Sequence, residues 1–418
     1  MSIKKTIGWK VGAALVVANM IGTGVFTSLG FQLQDVKNTW SILALWVLGG
    51  VMAIMGAFCY AEIGSTFRKS GGEYVFLSKL YHPIIGYLSG WISLTIGFAA
   101  PVALAAMALG AYLGNVLAIS PTFLAIGAIL IVSIVHSFSI NVSSQFQSYA
   151  TWFKVLLILS LILLGLYFAP VDSALDYSTG WQNELFLPAF AIAFVYVSYS
   201  YTGWNAAAYI IEEIDRPAIN LPKALVRGTI IVTILYVLLQ FVFLKHASLN
   251  QLQGQLDIGH VYAIQLFGED GAKIINLLVS FFLISSISAM IWVGPRVSYA
   301  MSEDFEIWQF LRKKNKNNIP VIAIWTQSII SIVYVITGTF ESVLLYCGFI
   351  LQLTAALTVA GVFLLRKRSN SGEFKAPLYP ILPGLFVLFS IWILIYLVID
   401  RPMECLVGAL ILGIGLIT

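Results

Sequence analysis

The chain has 418 residues, of which 59% are apolar and only 10% are charged. A soluble protein of this length needs far more charged surface, because charged residues make up about a quarter of an ordinary globular domain. Lipid must therefore be the solvent for most of the chain, which excludes a soluble enzyme or binding module. The net charge of +4 gives no indication of a nucleic-acid partner.

Twelve stretches are long and apolar enough to cross a bilayer as helices, each of which needs about 20 residues. The apolar runs are continuous rather than alternating, so we expect an all-α integral membrane protein. Spans 1 to 12 are predicted at 8–32, 40–62, 75–113, 121–140, 146–169, 184–212, 225–245, 273–301, 319–338, 342–365, 379–398 and 402–418.

Lysine and arginine residues are distributed unequally between the two sides of the predicted membrane. With the N-terminus inside, seventeen of the 23 fall on the inner side and four on the outer side, while Lys154 and Arg296 lie within spans. This bias follows the positive-inside rule, and one missed or invented span would destroy it. The sequence therefore predicts a multi-pass protein with both termini in the cytoplasm.

Two spans carry residues that favour a break in the helix near the centre of the membrane. The run in span 1 is Asn19–Phe26, and the run in span 6 is Tyr199–Asn205. Lipid cannot satisfy a free backbone polar group, so a broken helix must be buried in protein or line a cavity. Spans 1 and 6 each begin a half of five spans, and this odd number inverts the second half. Paired breaks in inverted halves indicate a transporter binding site.

A helix broken in this way offers complementary groups to the charged ends of an amino acid. Free N–H groups at Gly22, Thr23 and Gly24 favour a carboxylate. Carbonyls that end the first half favour an ammonium group, and the candidates are those of Ile21, Tyr199, Ser200 and Thr202. A bulky residue at Gly24 is expected to block binding while the protein still folds. The alternative for Gly-x-Gly in a membrane helix is close packing between helices.

Lys154 is the one basic residue predicted deep within the membrane, eight residues into span 5. A charge at this depth is costly and normally faces the interior of the bundle, where it serves a function. We expect an ammonium group bonded to backbone carbonyls and hydroxyls, at a place where a metal cation could otherwise sit. Two alternatives stay open: a side chain that reaches back to the inner interface, and a proton-coupling role, since burial disfavours the charged form.

The polar residues near the two breaks limit the class of amino acid that the site is expected to accept. Neither broken segment contains or adjoins an acidic residue or an arginine, which disfavours cationic and acidic amino acids and leaves a neutral side chain. Tyr199 and Tyr236 are bulky, which favours a small one. Glu62 and Glu73 flank the basic loop after span 2, and we expect them to pair with basic residues of that loop, Arg68 and Lys69.

Four stretches carry sequence motifs that, taken together, are specific enough to indicate a protein family: Ile21–Gly24, Tyr199–Asn205, Glu212–Ala224 and Pro295–Asp304. Over most of its length the chain resembles the amino acid–polyamine–organocation superfamily and, within it, the L-type amino acid transporter family, in particular bacterial alanine/serine/cysteine exchangers. The resemblance implies sodium-independent passage of L-amino acids. It also implies a single transporter domain over 1–418, with inverted repeats at 1–170 and 184–366 and two additional helices at 379–418.

The resemblance also implies roles for individual residues. In relatives a lysine of helix 5 replaces a sodium ion and ties helix 1 to helix 8, and Lys154 matches it. A tyrosine of helix 7 near the break marks relatives for small neutral substrates, and Tyr236 matches it. Asn205 ends the span 6 motif and is assigned to coupling or gating. The candidate hydroxyl partners of Lys154 are Ser285, Ser286 and Ser288.

Three features depart from the family pattern. Thr23 stands where serine is usual, and Tyr199 stands where phenylalanine is frequent at the gate. The outer loop at 111–121 lacks the cysteine that joins animal members to a heavy subunit, so no disulfide-linked subunit is expected. This favours a stand-alone carrier in a plasma or inner membrane.

The leading interpretation is an antiporter of small neutral L-amino acids, with alanine, serine, cysteine and glycine as the main candidates, that works by alternating access within the lipid bilayer. Proton-coupled uptake through Lys154 is the alternative within transport. A pore would need a lining ring of selective groups and a membrane sensor would need a soluble output domain, and the sequence offers neither. The sequence predicts no catalytic residues, no metal site and no cofactor; its three cysteines match no metal motif.

Overall fold

The computed structural model describes residues 7–138, 140–170, 180–185, 187–368 and 372–417, and for residues 140–148 it describes the backbone alone. These residues are mainly helical, with one isolated bridge between Ile7 and Ile214. The α-helices found in them are α1 (Trp9–Met20), α2 (Gly24–Asp35), α3 (Thr39–Phe67), α4 (Glu73–Leu80), α5 (Pro83–Ile92), α6 (Ala99–Leu117), α7 (Pro121–Phe138), α8 (Ile140–Tyr167), α9 (Pro188–Ser200), α10 (Pro217–His246), α11 (Leu249–Leu252), α12 (Ile258–Asp304), α13 (Val321–Thr337), α14 (Phe340–Lys367), α15 (Ile381–Asp400) and α16 (Pro402–Ile417).

The twelve predicted spans correspond in order to these helices, which confirms the all-α membrane fold. Eight spans in the described residues are helices long and apolar enough to cross a bilayer alone: spans 2, 3, 4, 5, 7, 8, 10 and 11. Span 1 consists of α1 and α2, which are bent by 48° relative to each other. The shorter apolar helices α9, α13 and α16 lie in spans 6, 9 and 12. Span 3 combines α5 and α6 across a π-helical segment, Ser93–Phe98.

Three helix boundaries differ from those that hydropathy predicts. The start of predicted span 3 is a separate helix, α4, and Pro83 then begins α5 at a position where its missing N–H costs nothing. Helix α10 begins at Pro217, so residues 217–224, predicted as a loop, form its first two turns. Helix α12 begins at Ile258, outside predicted span 8, and is kinked at Gly268, whose φ is 68°.

Small residues bring spans 1, 2 and 7 close together behind the broken segment. A Cβ added at Gly12 of span 1 would lie 2.8 Å from the Cβ of Ala224. One added at Gly50 of span 2 would lie 2.2 Å from Cγ2 of Thr233. Helices in lipid usually associate through close approach of this kind. Apolar side chains are as stable against lipid tails as against another helix, so tight packing at small residues must hold the helices together. Span 7 is thereby fixed against the break in span 1.

The predicted pairing of Glu62 with the neighbouring basic loop is wrong. Arg366, at the end of span 10, donates from Nε and Nη2 to the two carboxylate oxygens of Glu62, each at 2.7 Å. The Ala376 N–H donates to the same carboxylate at 2.7 Å. Arg68 instead pairs with the exposed Glu373 at 3.2 Å. The Glu62 carboxylate is fully buried, so its charge needs a close partner, and the bidentate Arg366 of span 10 supplies one.

We expect Arg366→Met to destabilise the protein strongly and Arg68→Met to have little effect. Removing one partner of a buried pair leaves an unpaired charge and costs about 3–5 kcal/mol, whereas an exposed pair contributes about 0–1 kcal/mol. Thermal unfolding of the two purified variants in the same detergent measures the difference. Equal melting temperatures for the two variants would contradict this account of Glu62.

Candidate functional site

The break in span 1 leaves backbone carbonyls without donors from their own helix, and side chains from other spans bond to them. The Tyr236 hydroxyl of span 7 donates to the Met20 carbonyl at 2.5 Å and also lies within reach of the Gly22 N–H. Lys154 of span 5 donates from Nζ to the Ile21 carbonyl at 3.2 Å. Two residues that the sequence predicted independently therefore meet on consecutive carbonyls of the broken segment.

Lys154 also reaches span 8, where one of its three predicted partners contacts it. Its side chain is buried, only 3% exposed, and Nζ donates to the Ser286 hydroxyl at 3.0 Å. The Ser288 hydroxyl is bonded to His136 of span 4 at 2.7 Å instead. The Ser285 hydroxyl is buried without a hydrogen-bond partner among the described residues. Lys154 thus joins span 5 to spans 1 and 8 through one carbonyl and one hydroxyl.

Two further donors to span 1 were missed by the sequence analysis. Gln240, one turn after Tyr236 on span 7, donates from Nε2 to the Val25 carbonyl at 2.9 Å. Tyr112 of span 3 donates to the Phe26 carbonyl at 3.2 Å. Both side chains are fully buried. A glutamine within an apolar span, four residues from Tyr236, was an available signal, since residues four apart lie on one face of a helix.

The carboxylate side of the predicted site lies at the start of α2. The Thr23 and Gly24 N–H groups form no hydrogen bond with a described residue. A Cβ added at Gly22 would have only the Met20 carbonyl within 4 Å, at 3.8 Å, so this position faces open space. One added at Gly24 would lie 2.7 Å from the Cα of Ser200. Gly24 therefore packs closely on span 6, and a bulky residue there would have to displace the Ser200 backbone, so we now expect a loss of stability beside any loss of binding.

The break in span 6 packs directly on the break in span 1. Helix α9 ends at Ser200, whose hydroxyl lies 2.9 Å from that of Ser28. Gly203 adopts a φ of 98°, and a Cβ there would lie 2.8 Å from the backbone carbon of Asn19. Glycine is needed at this position both for its φ and for the close approach. The two broken segments form one continuous backbone surface.

Two of the four predicted carbonyl acceptors, those of Tyr199 and Ile21, already accept hydrogen bonds. Thr202 donates to the Tyr199 carbonyl from its N–H at 3.0 Å and from its hydroxyl at 2.7 Å. The Ile21 carbonyl accepts from Lys154. A carbonyl oxygen has two lone pairs, so the Ile21 oxygen can still accept one further bond. We find Thr202 acting as a local cap of α9.

Asn205 follows the break along span 6 and is bonded to a carboxylate. Its Nδ2 donates to Glu73 of α4 at 2.5 Å. Tyr60 donates to the same carboxylate at 2.9 Å, and Tyr209 donates to its other oxygen. The predicted pairing of Glu73 with the basic loop is therefore wrong, and Glu73 instead joins spans 2 and 6 to α4.

The C-terminal end of span 1 is covered by the segment between spans 7 and 8. The Gly254 N–H donates to the Gly30 carbonyl at 2.8 Å. A Cβ added at Gly30 would lie 2.1 Å from the carbonyl oxygen of Gln255, so only glycine permits this contact. The broken segments are thus enclosed by contacts on both sides. In the part of the chain that the structure describes, no group of three histidine, cysteine or acidic side chains is placed to hold a metal.

A helical bundle with two facing, broken spans is the architecture of a membrane transporter. Residues 7–404 match the family described as Amino acid permease. The chain is 26% identical to the b(0,+)-type amino acid transporter 1 of Mus musculus, over 96% of this chain and 84% of that protein. It is 27% identical to the serine/threonine exchanger SteT of Bacillus subtilis, over 98% of this chain and 94% of that protein.

A third relative is the large neutral amino acids transporter small subunit 2 of Homo sapiens, which is 25% identical over 99% of this chain and 80% of that protein. The chain therefore belongs to the amino acid permease family, and the predicted membership of the amino acid–polyamine–organocation superfamily and its L-type branch is confirmed. It is a multi-pass membrane protein that transports amino acids and not an enzyme.

We expect Gly22→Ala and Gly24→Ala to separate binding from packing. The methyl group at Gly22 enters open space, so this variant should fold normally and show a raised KM for amino acids. The methyl group at Gly24 meets Ser200, and overpacking of this kind costs about 1–3 kcal/mol. Melting temperature and KM in proteoliposomes are the two measurements. A stable Gly24→Ala protein, or an unchanged KM for Gly22→Ala, would contradict this reading.

Adjacent serines in span 8 provide a matched test of the Lys154 bridge. Ser286→Ala removes a hydrogen bond to a charged group and should slow amino acid transport by roughly tenfold. Ser285→Ala removes a hydroxyl without a described partner and should leave the rate within about twofold. The initial rate of labelled amino acid uptake is measured for each variant at equal protein incorporation. Similar losses in both variants would show that Ser286 acts only through packing.

Proposed function

We propose that this chain exchanges small neutral L-amino acids across a plasma or inner membrane, without sodium, by alternating access. The moving parts would be the two inverted repeats, residues 1–170 and 184–366, with 379–418 as additional helices, and both termini in the cytoplasm. The proposal keeps Ile21, Gly22 and Thr23 in the substrate site. Gly24 has two roles in the proposal: its close packing on Ser200 shapes the site, and its backbone N–H remains a donor within it.

The observation that carries the proposal is the bond of Lys154 to the Ile21 carbonyl and the Ser286 hydroxyl. Freed carbonyls of a broken transporter helix are the ligands that sodium uses in coupled carriers. An ammonium group that is covalently part of span 5 supplies the same positive charge without an ion from solution. Sodium would then be unnecessary for joining spans 1 and 8, which supports a sodium-independent cycle.

Recognition of the substrate follows from the two ends of an amino acid. The Thr23 and Gly24 N–H groups would donate to the carboxylate, at the positive end of α2. The second lone pair of the Ile21 carbonyl would accept from the ammonium group. Tyr199 and Tyr236 border the same region and would limit the size of the side chain. SteT is described as a serine/threonine exchanger, which supports exchange and a small polar substrate.

Proton-coupled uptake is the second candidate, and one observation favours it. Lys154 is buried, and no carboxylate among the described residues pairs with it. An ammonium group in such surroundings could release a proton during the cycle. Exchange requires that Lys154 keep its charge throughout the transport cycle. Proton-coupled uptake requires that Lys154 bind and release a proton in each cycle.

Transport into proteoliposomes distinguishes these readings. With labelled serine outside, we expect uptake only when unlabelled serine, alanine, cysteine or glycine is loaded inside, with equal rates in sodium and in choline. Lys154→Ala should reduce the rate at least about tenfold, because an interaction with a charged group is lost. Uptake into empty vesicles driven by a pH gradient would favour proton coupling, and a requirement for sodium would refute the proposal.

A further inference from the structure

A cavity of about 180 Å³ lies at the inner end of span 8, away from the broken segments. Spans 4, 8 and 9 and the loop between spans 8 and 9 line it. Trp292, Arg296 and Tyr299 lie on the lining face of span 8, at helical spacings of four and three residues. Lys314 of the loop lies opposite. The proposed transport function does not use any of these residues.

The charged groups of this cavity are both cations, and both rest on aromatic rings. The Arg296 guanidinium carbon lies 4.0 Å from the centroid of the Trp292 ring. Lys314 Nζ lies 4.1 Å from the centroid of the Tyr299 ring. Neither cation forms an ion pair with a described residue, although the charge of Glu213 acts on Arg296 from a distance. Aromatic stacking orients a guanidinium while leaving its N–H groups free to bind an anion.

The Trp292 indole provides a third hydrogen-bond donor, which also favours an anionic ligand. The indole Nε1–H of Trp292 is buried and has no hydrogen-bond partner among the described residues. A buried donor without an acceptor is costly, and in native structures it usually has a partner such as water, an ion or a ligand. The cavity therefore combines two cations and an unpaired N–H, and none of its described lining residues is acidic.

The surface beside the cavity is apolar and exposed. Span 4 ends there with exposed apolar side chains, among them Val135 and Phe138, which is 69% exposed. Asn315 and Asn317 of the loop cap this end of span 4 by donating to the Ser137 and Phe138 carbonyls. A ligand with an anionic head and an apolar chain could place both parts here.

We propose that this cavity binds a phosphate group, with Arg296, Lys314 and the Trp292 N–H as its donors. Guanidinium groups match the geometry of phosphate oxygens, and basic pockets between spans on the cytoplasmic side are suited to lipid head groups. The phosphate can belong to an anionic phospholipid or to a soluble compound. The donors are the same in both cases.

Thermal unfolding of the purified full-length protein in detergent tests this site. Short-chain phosphatidylglycerol is titrated below its micellar concentration, beside phosphatidylcholine of equal chain length and inorganic phosphate. We expect a saturable rise in melting temperature with phosphatidylglycerol and not with phosphatidylcholine, since a ligand that binds only the folded state stabilises it. A similar rise with inorganic phosphate would assign the site to soluble phosphates. No rise with either phosphate source overturns the proposal.

Variants of the lining residues localise the effect. Arg296→Gln should weaken the apparent affinity roughly tenfold, and Trp292→Phe, which keeps a ring but removes the N–H, should weaken it about threefold to tenfold. Lys314→Gln should also weaken it, whereas Lys313→Gln removes the same charge one residue away from the cavity and should leave it within about twofold. Equal losses for Lys313→Gln and Lys314→Gln would show a general charge effect and refute the site, even if Arg296→Gln does not fold.

Discussion

The structure depends on hydrogen bonds that satisfy the opened backbone of span 1 inside the membrane. Hydrocarbon offers no substitute for a missing helical donor, so each freed carbonyl needs one from the protein. Tyr236 and Lys154 meet this requirement for Met20 and Ile21, and Gln240 adds a donor to the Val25 carbonyl at the start of α2. The break is consequently a defined geometry and not a region of disorder. It can present N–H groups to a substrate because its carbonyl side is already fixed.

The same constraint explains which parts of this arrangement the sequence could predict. Breaks are local, since Gly22, Gly24 and Gly203 weaken the helix wherever they occur, and hydropathy locates them at mid-span. The partners of the freed carbonyls are not local. Lys154 was recognisable because a charge in an apolar span is conspicuous, whereas Tyr112 looks like any other aromatic residue of a buried helix.

The direction in which each side chain points was the second limit on what the sequence could predict. Three serines of span 8 were equal candidates for Lys154, and only the rotation of the helix about its own axis selects Ser286. Adjacent positions on a helix differ by about 100° in direction, so one residue decides between a contact and none. Glu62 shows the same limit at longer range, because the arginine that neutralises it lies in span 10, more than 300 positions along the chain from it.

Glu73 has a consequence for how the helices around it could separate. Its two carboxylate oxygens hold Tyr60, Asn205 and Tyr209, so α4, span 2 and the lower part of span 6 all meet at one side chain. All of these hydrogen bonds end on the same carboxylate, so they would be lost together. Separation of the three elements therefore requires the rehydration of a single anion, and water that reaches this carboxylate would itself act as the competitor that releases them.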